Sequence, residues 1–233
     1  MNISEYYSKG YKGEIQKGNT IFSNFDQNKT FFGILLNKGV IRKNNNILDF
    51  GCGMGYFLNF LKLQGFFNLW GVDIARTAIS YAKNNYKHIE FRHFNLNEAI
   101  PFKKEFFDTI LSFDVLEHVP DINSHLSQMY DLLNHGGTYV FSTPQKELDL
   151  IFNLFNKDHK LIHPSLQNRR TLKQAIKKNN FSNIQFFILP SFFGQRQIYK
   201  LRNKKIGFLI PILNILMRIR VFPPPTIYGS IKK

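Results

Sequence analysis

The stretch of sequence that decides the fold reads Asn46-Ile47-Leu48-Asp49-Phe50-Gly51-Cys52-Gly53-Met54-Gly55. Its first half is a short apolar run, which predicts a buried parallel strand. Its second half carries glycine at alternate positions, and the residues that follow, 56–61, have a helical pattern. A strand, a tight glycine turn and a helix allow backbone N–H groups and the helix N-terminus to approach a ligand closely. The stretch therefore predicts a ligand-binding turn at the end of a strand.

A carboxylate further along the chain narrows the kind of ligand. The next apolar run, residues 69–72, ends in Asp73, twenty-two residues after Gly51. A carboxylate at this position can accept hydrogen bonds from a ribose. The dinucleotide-binding fingerprint, G-x-G-x-x-G, would need its third glycine at residue 56, where this chain has Tyr56. This departure disfavours a dinucleotide as the ligand. Because Asp49 precedes the glycines and would repel a pyrophosphate, the pattern favours a positively charged ligand.

The series Asp49-x-Gly51-x-Gly53-x-Gly55 resembles the first motif of the class I S-adenosylmethionine (SAM) methyltransferases. Later segments resemble further motifs of this family in order and spacing, namely residues 73–82, 95–102, 106–121 and 132–144. The resemblance covers about residues 40–190. It implies a SAM-dependent methyltransferase with an α/β fold, in which a doubly wound, mostly parallel, Rossmann-like sheet of seven strands has one antiparallel strand near the edge.

The resemblance also implies that SAM is the cofactor and indicates which residues bind it. The implied cofactor-binding residues are Asp49, Gly51, Cys52, Gly53, Gly55, Asp73, Ile74, Asn95, Leu96, Phe113 and Asp114. Asn95 departs from the family pattern, which usually has an aspartate that accepts from the adenine N6 amino group. An amide oxygen can still accept this hydrogen bond, without the assistance of a charge. We therefore expect a weaker adenine contact.

Candidate catalytic residues follow from the chemistry of the reaction. Methyl transfer from SAM is an in-line displacement at a sulfonium methyl group, so much of the catalysis is positioning. An oxygen or nitrogen acceptor of high pKa also needs a base, and histidine is well matched to neutral pH. The candidate bases are His118, His159 and His163, in loops that we expect at the carboxyl ends of strands. The alternative for His118 is a structural role, in which it holds its loop by hydrogen bonds.

Candidate substrate contacts are Tyr7, Tyr11 and Glu117. The two tyrosines belong to residues 1–43, which we expect to be helical and to close over the cofactor. Anchoring of this lid, rather than substrate contact, is the alternative role of the tyrosines, and Glu117 has a structural alternative. We expect no metal site, because the i, i+4 pair His159 and His163 ends at a proline boundary, Pro164, and lacks a nearby third ligand.

Composition bounds the protein class. With 233 residues the chain is long enough for one sizeable core, and nothing in it marks a second domain. Hydrophobic residues make up 43% of the chain, which argues against disorder. The single cysteine, Cys52, cannot form an internal disulfide or a structural zinc site, which fits a reducing compartment. The first seven residues have neither a basic start nor an apolar segment, so we expect no signal peptide and a cytoplasmic location.

The formal net charge of +15 lies in the C-terminal third of the chain. The last acidic residue is Asp158, and residues 1–158 contain 16 acidic and 16 basic side chains. The other 15 basic side chains lie in residues 159–233, where there is no acid. Such a region indicates an anionic partner: lipid, nucleic acid or a phosphorylated substrate. A lysine-rich genome is the alternative, although it does not explain the missing acids.

We divide the single domain into an N-terminal helical lid (1–43), a SAM-binding core (44–200) and a C-terminal part (201–233). This last part holds a basic amphipathic insert, Ile206–Arg220, and a final edge strand at 226–231. The apolar run of the insert is too short to cross a bilayer. Its broad apolar face between basic residues suggests a helix lying on an anionic membrane, peripherally at the inner face of the cell membrane. The alternatives are a homodimer interface and a cover over the substrate pocket.

We therefore expect a SAM-dependent methyltransferase that acts on an oxygen of a small-molecule, sugar or lipid-linked acceptor. The pattern is similar to that of bacterial enzymes of quinone biosynthesis and of surface-polysaccharide gene clusters. One alternative is an RNA methyltransferase, prompted by the basic C-terminal third, although the expected stacking aromatics and an Asn-Pro-Pro-Tyr-type motif are missing there. The other alternative is a membrane-surface module with a vestigial SAM site. The intact acidic and glycine positions of the first motif argue against it. An NAD-dependent oxidoreductase is disfavoured by Tyr56.

Overall fold

A seven-stranded sheet with helices on both faces forms the described part of the chain. The computed structural model describes residues 3–16, 25–95, 98–152, 162–187, 189 and 226–233. In chain order the elements are α1 (Ile3–Gln16), α2 (Phe25–Asn37), β1 (Ile47–Phe50), α3 (Tyr56–Leu63), β2 (Leu69–Asp73), α4 (Arg76–Asn85), β3 (Glu90–His93), β4 (Phe107–Phe113), α5 (Ile122–Leu132), β5 (Leu133–Pro144), α6 (Lys146–Phe152), α7 (Arg169–Lys178), β6 (Ser182–Phe187) and β7 (Thr226–Lys232).

The order of the strands places the ligand-binding edge. The sheet runs β3-β2-β1-β4-β5-β7-β6, and the first five of these strands are parallel to one another. Strand β7 is antiparallel to both β5 and β6. The strand order reverses between β1 and β4, and doubly wound sheets bind ligands at the carboxyl ends of strands beside such a point. The predicted mostly parallel seven-stranded sheet is confirmed.

Two apolar cores cover the two faces of this sheet. Successive residues of a central strand point to opposite faces, and so Leu48 of β1 belongs to one core and Ile47 to the other. Helices α5 and α7 cover the first face, and α2 and α3 cover the second. Strands that are buried on both faces carry the nearly continuous apolar runs that the sequence shows.

Strand β7 corrects the prediction of a final edge strand. It pairs with β5 on one side and with β6 on the other, so β6 forms the edge. Residues 226–231 are buried, with Ile227 and Ile231 in one core and Tyr228 in the other. A strand that is buried on both faces is suited to the interior of a sheet, whereas the more exposed β6 tolerates an unpaired edge. The predicted antiparallel strand near the edge is confirmed at this inner position.

The predicted insert Ile206–Arg220 lies outside the described residues, so its membrane, interface and pocket-cover alternatives stay predictions. Among the residues that the structure does describe, every helix is too short or too polar to span a membrane.

Helix α1 packs across the start of α4. The Ser4 hydroxyl donates to the carbonyl oxygen of Ile74 at 2.6 Å, and the Thr77 hydroxyl donates to the carbonyl oxygen of Ser8 at 2.8 Å. These hydrogen bonds hold the N-terminal helix beside the carboxyl ends of β1 and β2. The role of residues 1–43 as a lid stays a prediction.

Gly229 in β7 allows a test of how tightly the sheet is packed. A Cβ added there would lie 2.3 Å from the ring of Phe141, which is fully buried. We expect Gly229→Ala to lower the free energy of unfolding by about 1–3 kcal/mol, as overpacking of a core does. Gly33→Ala in α2 is the matched control, because nothing lies within 4 Å of that added Cβ. It should raise the free energy of unfolding by roughly 0.5–1 kcal/mol through better helix propensity. Chemical denaturation measures both, and equal effects would contradict the packing.

Candidate functional site

The glycine turn after β1 has a backbone and a packing that suit only glycine. Gly51, Gly53 and Gly55 have φ angles of 82°, 51° and 79°, in the left-handed region. A Cβ on Gly51 would lie 2.4 Å from the side chain of Val115, and one on Gly55 would lie 2.7 Å from the ring of Phe91. The turn is therefore fixed both by conformation and by close contact with neighbouring elements.

Asp73 holds this turn against the start of α4. Its Oδ2 atom accepts a hydrogen bond from the Gly53 N–H, and its Oδ1 atom accepts one from the Ala75 N–H, each at 2.8 Å. The Gly51 N–H donates to the carbonyl oxygen of Val72 at 2.8 Å. One carboxylate thus joins the ends of β1 and β2. Because a carboxylate oxygen has two lone pairs, Asp73 keeps acceptor capacity for the predicted ribose hydroxyl.

Two carboxyl groups are buried close together at the turn. Asp49 and Asp73 are 3% and 6% exposed. Burial raises the pKa of Asp49 to about 7, and the nearby charge of Asp73 adds to the shift. Burial also raises the pKa of Asp73 to about 6, opposed by the backbone N–H groups that it accepts from. A ligand with positive charge would stabilise the ionised forms, so this pair of carboxyl groups fits a cationic ligand such as SAM.

Three other predicted cofactor residues lie in the glycine turn and at the end of β4. Cys52 is buried, and burial raises the pKa of its thiol, so it is a packing residue rather than a nucleophile. Asp114 follows β4 with a φ of 57°, and its N–H donates to the carbonyl oxygen of Ser142 at 3.0 Å. The ring of Phe113 packs edge-on against Phe57 at the start of α3. The end of β4 is thereby held beside the glycine turn.

The remaining predicted cofactor residues lie on the other side of the turn. The carbonyl oxygen of Ile74 receives the hydrogen bond from α1 and lies 3.1 Å from His93 Nε2. The Asn95 amide donates to the Glu98 carboxylate at 2.6 Å. This bond orients the amide, whose oxygen is the predicted adenine acceptor. Leu96 lies outside the described residues, and the binding roles of all these residues stay predictions.

Helix α1 brings two of the predicted substrate residues to the turn. Tyr7 and Tyr11 are partly buried, and they pack against Met54, Ala75 and Ala78. Burial raises the pKa of the Tyr11 hydroxyl, and Asp73 is the largest of the nearby charges that add to it. The Tyr11 hydroxyl therefore lies close to the buried carboxyl pair.

A second group of polar side chains lies in the loops after β4 and α6. Donor atoms of Glu117, His118 and His163 lie within 4.8 Å of one another, and we call these three residues the histidine cluster. His118 Nε2 is 3.6 Å from Glu117 Oε1, and the centroids of the two imidazole rings are 4.8 Å apart. Each residue was predicted singly, but their meeting was not. It supplies the third ligand that the sequence argument against a metal site found missing.

His118 is held by both α1 and the segment before His163. Its Nδ1 atom lies 2.7 Å from the carbonyl oxygen of Ile162 and 2.8 Å from the hydroxyl of Tyr7. Because a carbonyl oxygen can only accept, Nδ1 carries the proton of the neutral ring and Nε2 carries its lone pair. Tyr7 therefore connects the histidine cluster with the glycine turn.

Two supporting side chains fix the other members of the cluster. Asp149 Oδ2 lies 2.9 Å from His163 Nδ1, and the Thr143 hydroxyl donates to Glu117 Oε2 at 2.9 Å. Burial raises the pKa of the Glu117 carboxyl well above its usual range, and the charge of Asp114 adds to this shift.

Neither supporting residue was predicted from the sequence. Thr143 stands in the Ser-Thr-Pro end of a segment that resembles a family motif, so the sequence held a signal for it. Asp149 had no such signal, because its contact with His163 depends on how α6 packs. The candidate His159 lies outside the described residues.

Known proteins match this chain in sequence. A family model described as a methyltransferase domain matches residues 24–186. The chain is 32% identical over 143 residues to a ubiquinone biosynthesis O-methyltransferase of Coxiella burnetii, a match that covers 53% of this chain and 59% of that protein. An uncharacterized protein of Methanocaldococcus jannaschii is 28% identical over 193 residues, which cover 82% of this chain and 81% of that protein. The chain thus spans less than two thirds of the Coxiella relative.

Solved structures match in fold at low sequence identity. A putative sarcosine dimethylglycine methyltransferase from Galdieria sulphuraria has a TM-score of 0.65 at 15% identity, with 97% of this chain and 98% of that chain covered. Phosphoethanolamine N-methyltransferase 2 from Haemonchus contortus has a TM-score of 0.61 at 17% identity, with 88% and 51% covered. At such identities the likeness shows the fold alone.

The buried Asp49 makes the stability of the chain depend on pH. Its pKa of about 7 in the folded chain exceeds its ordinary value of 3.8, so the folded state binds more protons between about pH 4 and pH 7. The free energy of unfolding should therefore fall as the pH rises through this window. We expect Asp49→Asn to be more stable than the wild type by about 1–4 kcal/mol at pH 8, and equally stable near pH 4.

Thermal denaturation across pH measures this difference, and Asp121→Asn provides a control of opposite sign. Hydrogen bonds from Ser124 lower the pKa of Asp121 at the start of α5. Its contribution to stability is present above the unfolded pKa and is lost as the pH falls, so Asp121→Asn should cost stability at pH 8 and little in acid. An Asp49→Asn variant that is equally destabilised at every pH would contradict the buried charge.

Proposed function

The chain belongs to the methyltransferase domain family of SAM-dependent enzymes, and from this premise we propose that it methylates an oxygen atom of a small-molecule acceptor. The observation that carries the proposal is the contact of Tyr7 with His118, because Tyr7 also packs beside the glycine turn. The predicted cofactor and acceptor sites therefore adjoin at one edge of the sheet. The name of the Coxiella relative, an O-methyltransferase, supports oxygen as the methyl acceptor.

The cofactor side of the proposal rests on the buried carboxyl pair and the glycine turn. When bound, SAM supplies a methyl group on a positively charged sulfur, which an acceptor oxygen displaces in line. Asp73 would accept from the ribose hydroxyls while it keeps the turn closed through Gly53. Asp49 would contribute negative charge near the cationic part of the cofactor. Tyr11 packs against Met54 of the same turn and against Ala75.

The acceptor side rests on the histidine cluster. A hydroxyl group is a weak nucleophile at neutral pH, so its proton has to be withdrawn as the oxygen–carbon bond forms and the carbon–sulfur bond breaks. Asp149 accepts from His163 Nδ1–H, which places the lone pair of this ring on Nε2. We propose that the acceptor hydroxyl lies against the cluster, which withdraws this proton.

A turnover screen with methyl-labelled SAM tests the proposed acceptor class. Its arms are phenolic quinone precursors, sugar nucleotides, lipid-linked sugars and RNA. We expect label on an oxygen of a small molecule and none on RNA. Label on RNA alone, or on nitrogen alone, would overturn the proposal.

The cofactor site is tested by Asp73→Ala. The variant loses the charge-assisted hydrogen bonds to the ribose and also the bond that holds Gly53. We expect SAM affinity to fall by roughly 2–4 kcal/mol, as measured by calorimetry. Asp26→Ala on α2 is the control for the loss of an acidic side chain, because Asp26 is exposed and pairs with Lys29. Equal affinity of Asp73→Ala and the wild type would remove Asp73 from the site.

The acceptor site is tested by His163→Ala. We expect kcat to fall by about 10²–10⁴, with SAM affinity unchanged, because the proton of the acceptor is no longer withdrawn. His135→Ala is the matched control, since His135 is 87% exposed and also lies beside a glutamate, Glu105. Full turnover by His163→Ala would mean that this residue does not serve the reaction.

A further inference from the structure

The histidine cluster has the composition of a metal site, and we propose that Glu117, His118 and His163 bind a divalent cation, Zn²⁺ or Mn²⁺. Two imidazoles and one carboxylate form a donor set that suits such cations and leaves further coordination positions open. Only the role of the cation in the reaction rests on the proposed function, whereas its binding is a separate property of the cluster.

The donor atoms come from three side chains that already lie close together. They are within 4.8 Å of one another, and His118 Nε2 is 3.6 Å from Glu117 Oε1. Ligands of Zn²⁺ lie about 2.0–2.2 Å from the ion, which puts them roughly 3–3.5 Å apart. Side-chain rotations of about an ångström therefore close the set around an ion, with no rearrangement of the backbone.

Both imidazoles are oriented for coordination through Nε2. His118 Nδ1 faces the carbonyl oxygen of Ile162, and His163 Nδ1 faces the carboxylate of Asp149. Metal-binding histidines commonly donate their other N–H to a carbonyl or a carboxylate, which fixes the tautomer and makes the ligand more basic. The cluster therefore has the outer hydrogen bonds of a metal site as well as its ligands.

The carboxylate is held in the same way. Glu117 is 2% exposed, and the Thr143 hydroxyl donates to one of its oxygens, while the other lies toward His118. The Ser165 N–H donates to the carbonyl oxygen of Glu117 at 3.2 Å, which fastens the segment of His163 to the loop after β4. The three ligands thus lie on segments that hydrogen bonds connect to one another.

Electrostatics favours a positive charge at the cluster. Ligand atoms of Glu117, His118 and His163 converge within 4.8 Å of one another, and His118 Nε2 faces Glu117 Oε1 at 3.6 Å. Acceptor atoms that converge in this way are stabilised by a positive charge among them, either a proton shared by Glu117 and His118 or a metal ion. A divalent cation at this point would take the place of such a proton and would leave its open positions to an acceptor hydroxyl.

A bound cation would perform the proton withdrawal that the proposed function requires. An acceptor hydroxyl that binds the ion has a lowered pKa and gives its proton to water, which leaves a nucleophilic oxygen. The two histidines then serve as ligands and not as proton acceptors. The presence or absence of a cation decides between these two roles.

Binding of Mn²⁺ and Co²⁺ to the chelator-treated protein tests the site directly. We expect one equivalent of Mn²⁺ per chain by paramagnetic resonance, and visible absorption bands with Co²⁺. His163→Ala should lower the affinity for either ion by at least a hundredfold, and Asp149→Asn, which removes the negative charge that supports His163, should lower it about 10–100-fold. His135→Ala should bind the ions like the wild type. Circular dichroism confirms that each variant is folded.

Activity measurements separate this inference from the proposed function. If the wild type binds neither ion and turnover is unaffected by a chelator, the cation site is wrong and the histidines act as bases. If His163→Ala binds Mn²⁺ as tightly as the wild type, the site is also wrong. One equivalent of Mn²⁺ bound through the cluster, together with SAM binding and a failure to methylate any oxygen acceptor, would support the site while overturning the proposed function.

Discussion

The two hydrogen bonds that the Asp73 carboxylate accepts from Gly53 and Ala75 are the interaction on which the site depends. They join the glycine turn after β1 to the start of α4 after β2. The turn has a left-handed backbone at three positions, and such a backbone keeps its conformation only where its surroundings determine it. Helix α1 then rests on the start of α4 through Ser4 and Thr77, so its position follows from the same interaction.

The buried carboxyl groups give this arrangement an electrostatic cost. Asp49 and Asp73 lie together in the folded chain, where burial disfavours their ionised forms. A site built only for stability would carry neutral residues at these positions. The positive charge of a bound cationic ligand offsets this cost. Such a ligand therefore stabilises the fold as well as occupying the site. Besides burial, the nearby charge of Asp73 raises the pKa of the Tyr11 hydroxyl, so that pKa depends on what occupies the cofactor site.

The histidine cluster is assembled differently from the cofactor turn. The turn is one continuous stretch of sequence, whereas the cluster takes Glu117 and His118 from the loop after β4 and His163 from the segment after α6. Its supports come from β5, from α6 and, through Tyr7, from α1. Because Tyr7 contacts both regions, a movement of α1 would change contacts at the turn and at the cluster together.

The sequence by itself determined the parts of the protein that depend on local chemistry. The apolar strand and the alternate glycines predicted the turn, because a left-handed backbone requires glycine and because strand burial appears as an apolar run. Asp49 and Asp73 were placed by their spacing from those glycines. The resemblance of the chain's motifs to those of the SAM methyltransferases also implied a seven-stranded, mostly parallel sheet, which the structure confirms.

Only the tertiary structure decided the contacts between distant segments. Strand β7 lies inside the sheet and not at its edge, and both of its faces are buried against the two cores. Glu117 and His163 meet, and Asp149 supports His163, because loops packed on the sheet bring them together. The physical reason is that periodicity and turn chemistry act over a few residues, whereas the geometry of a polar cluster depends on how whole elements pack.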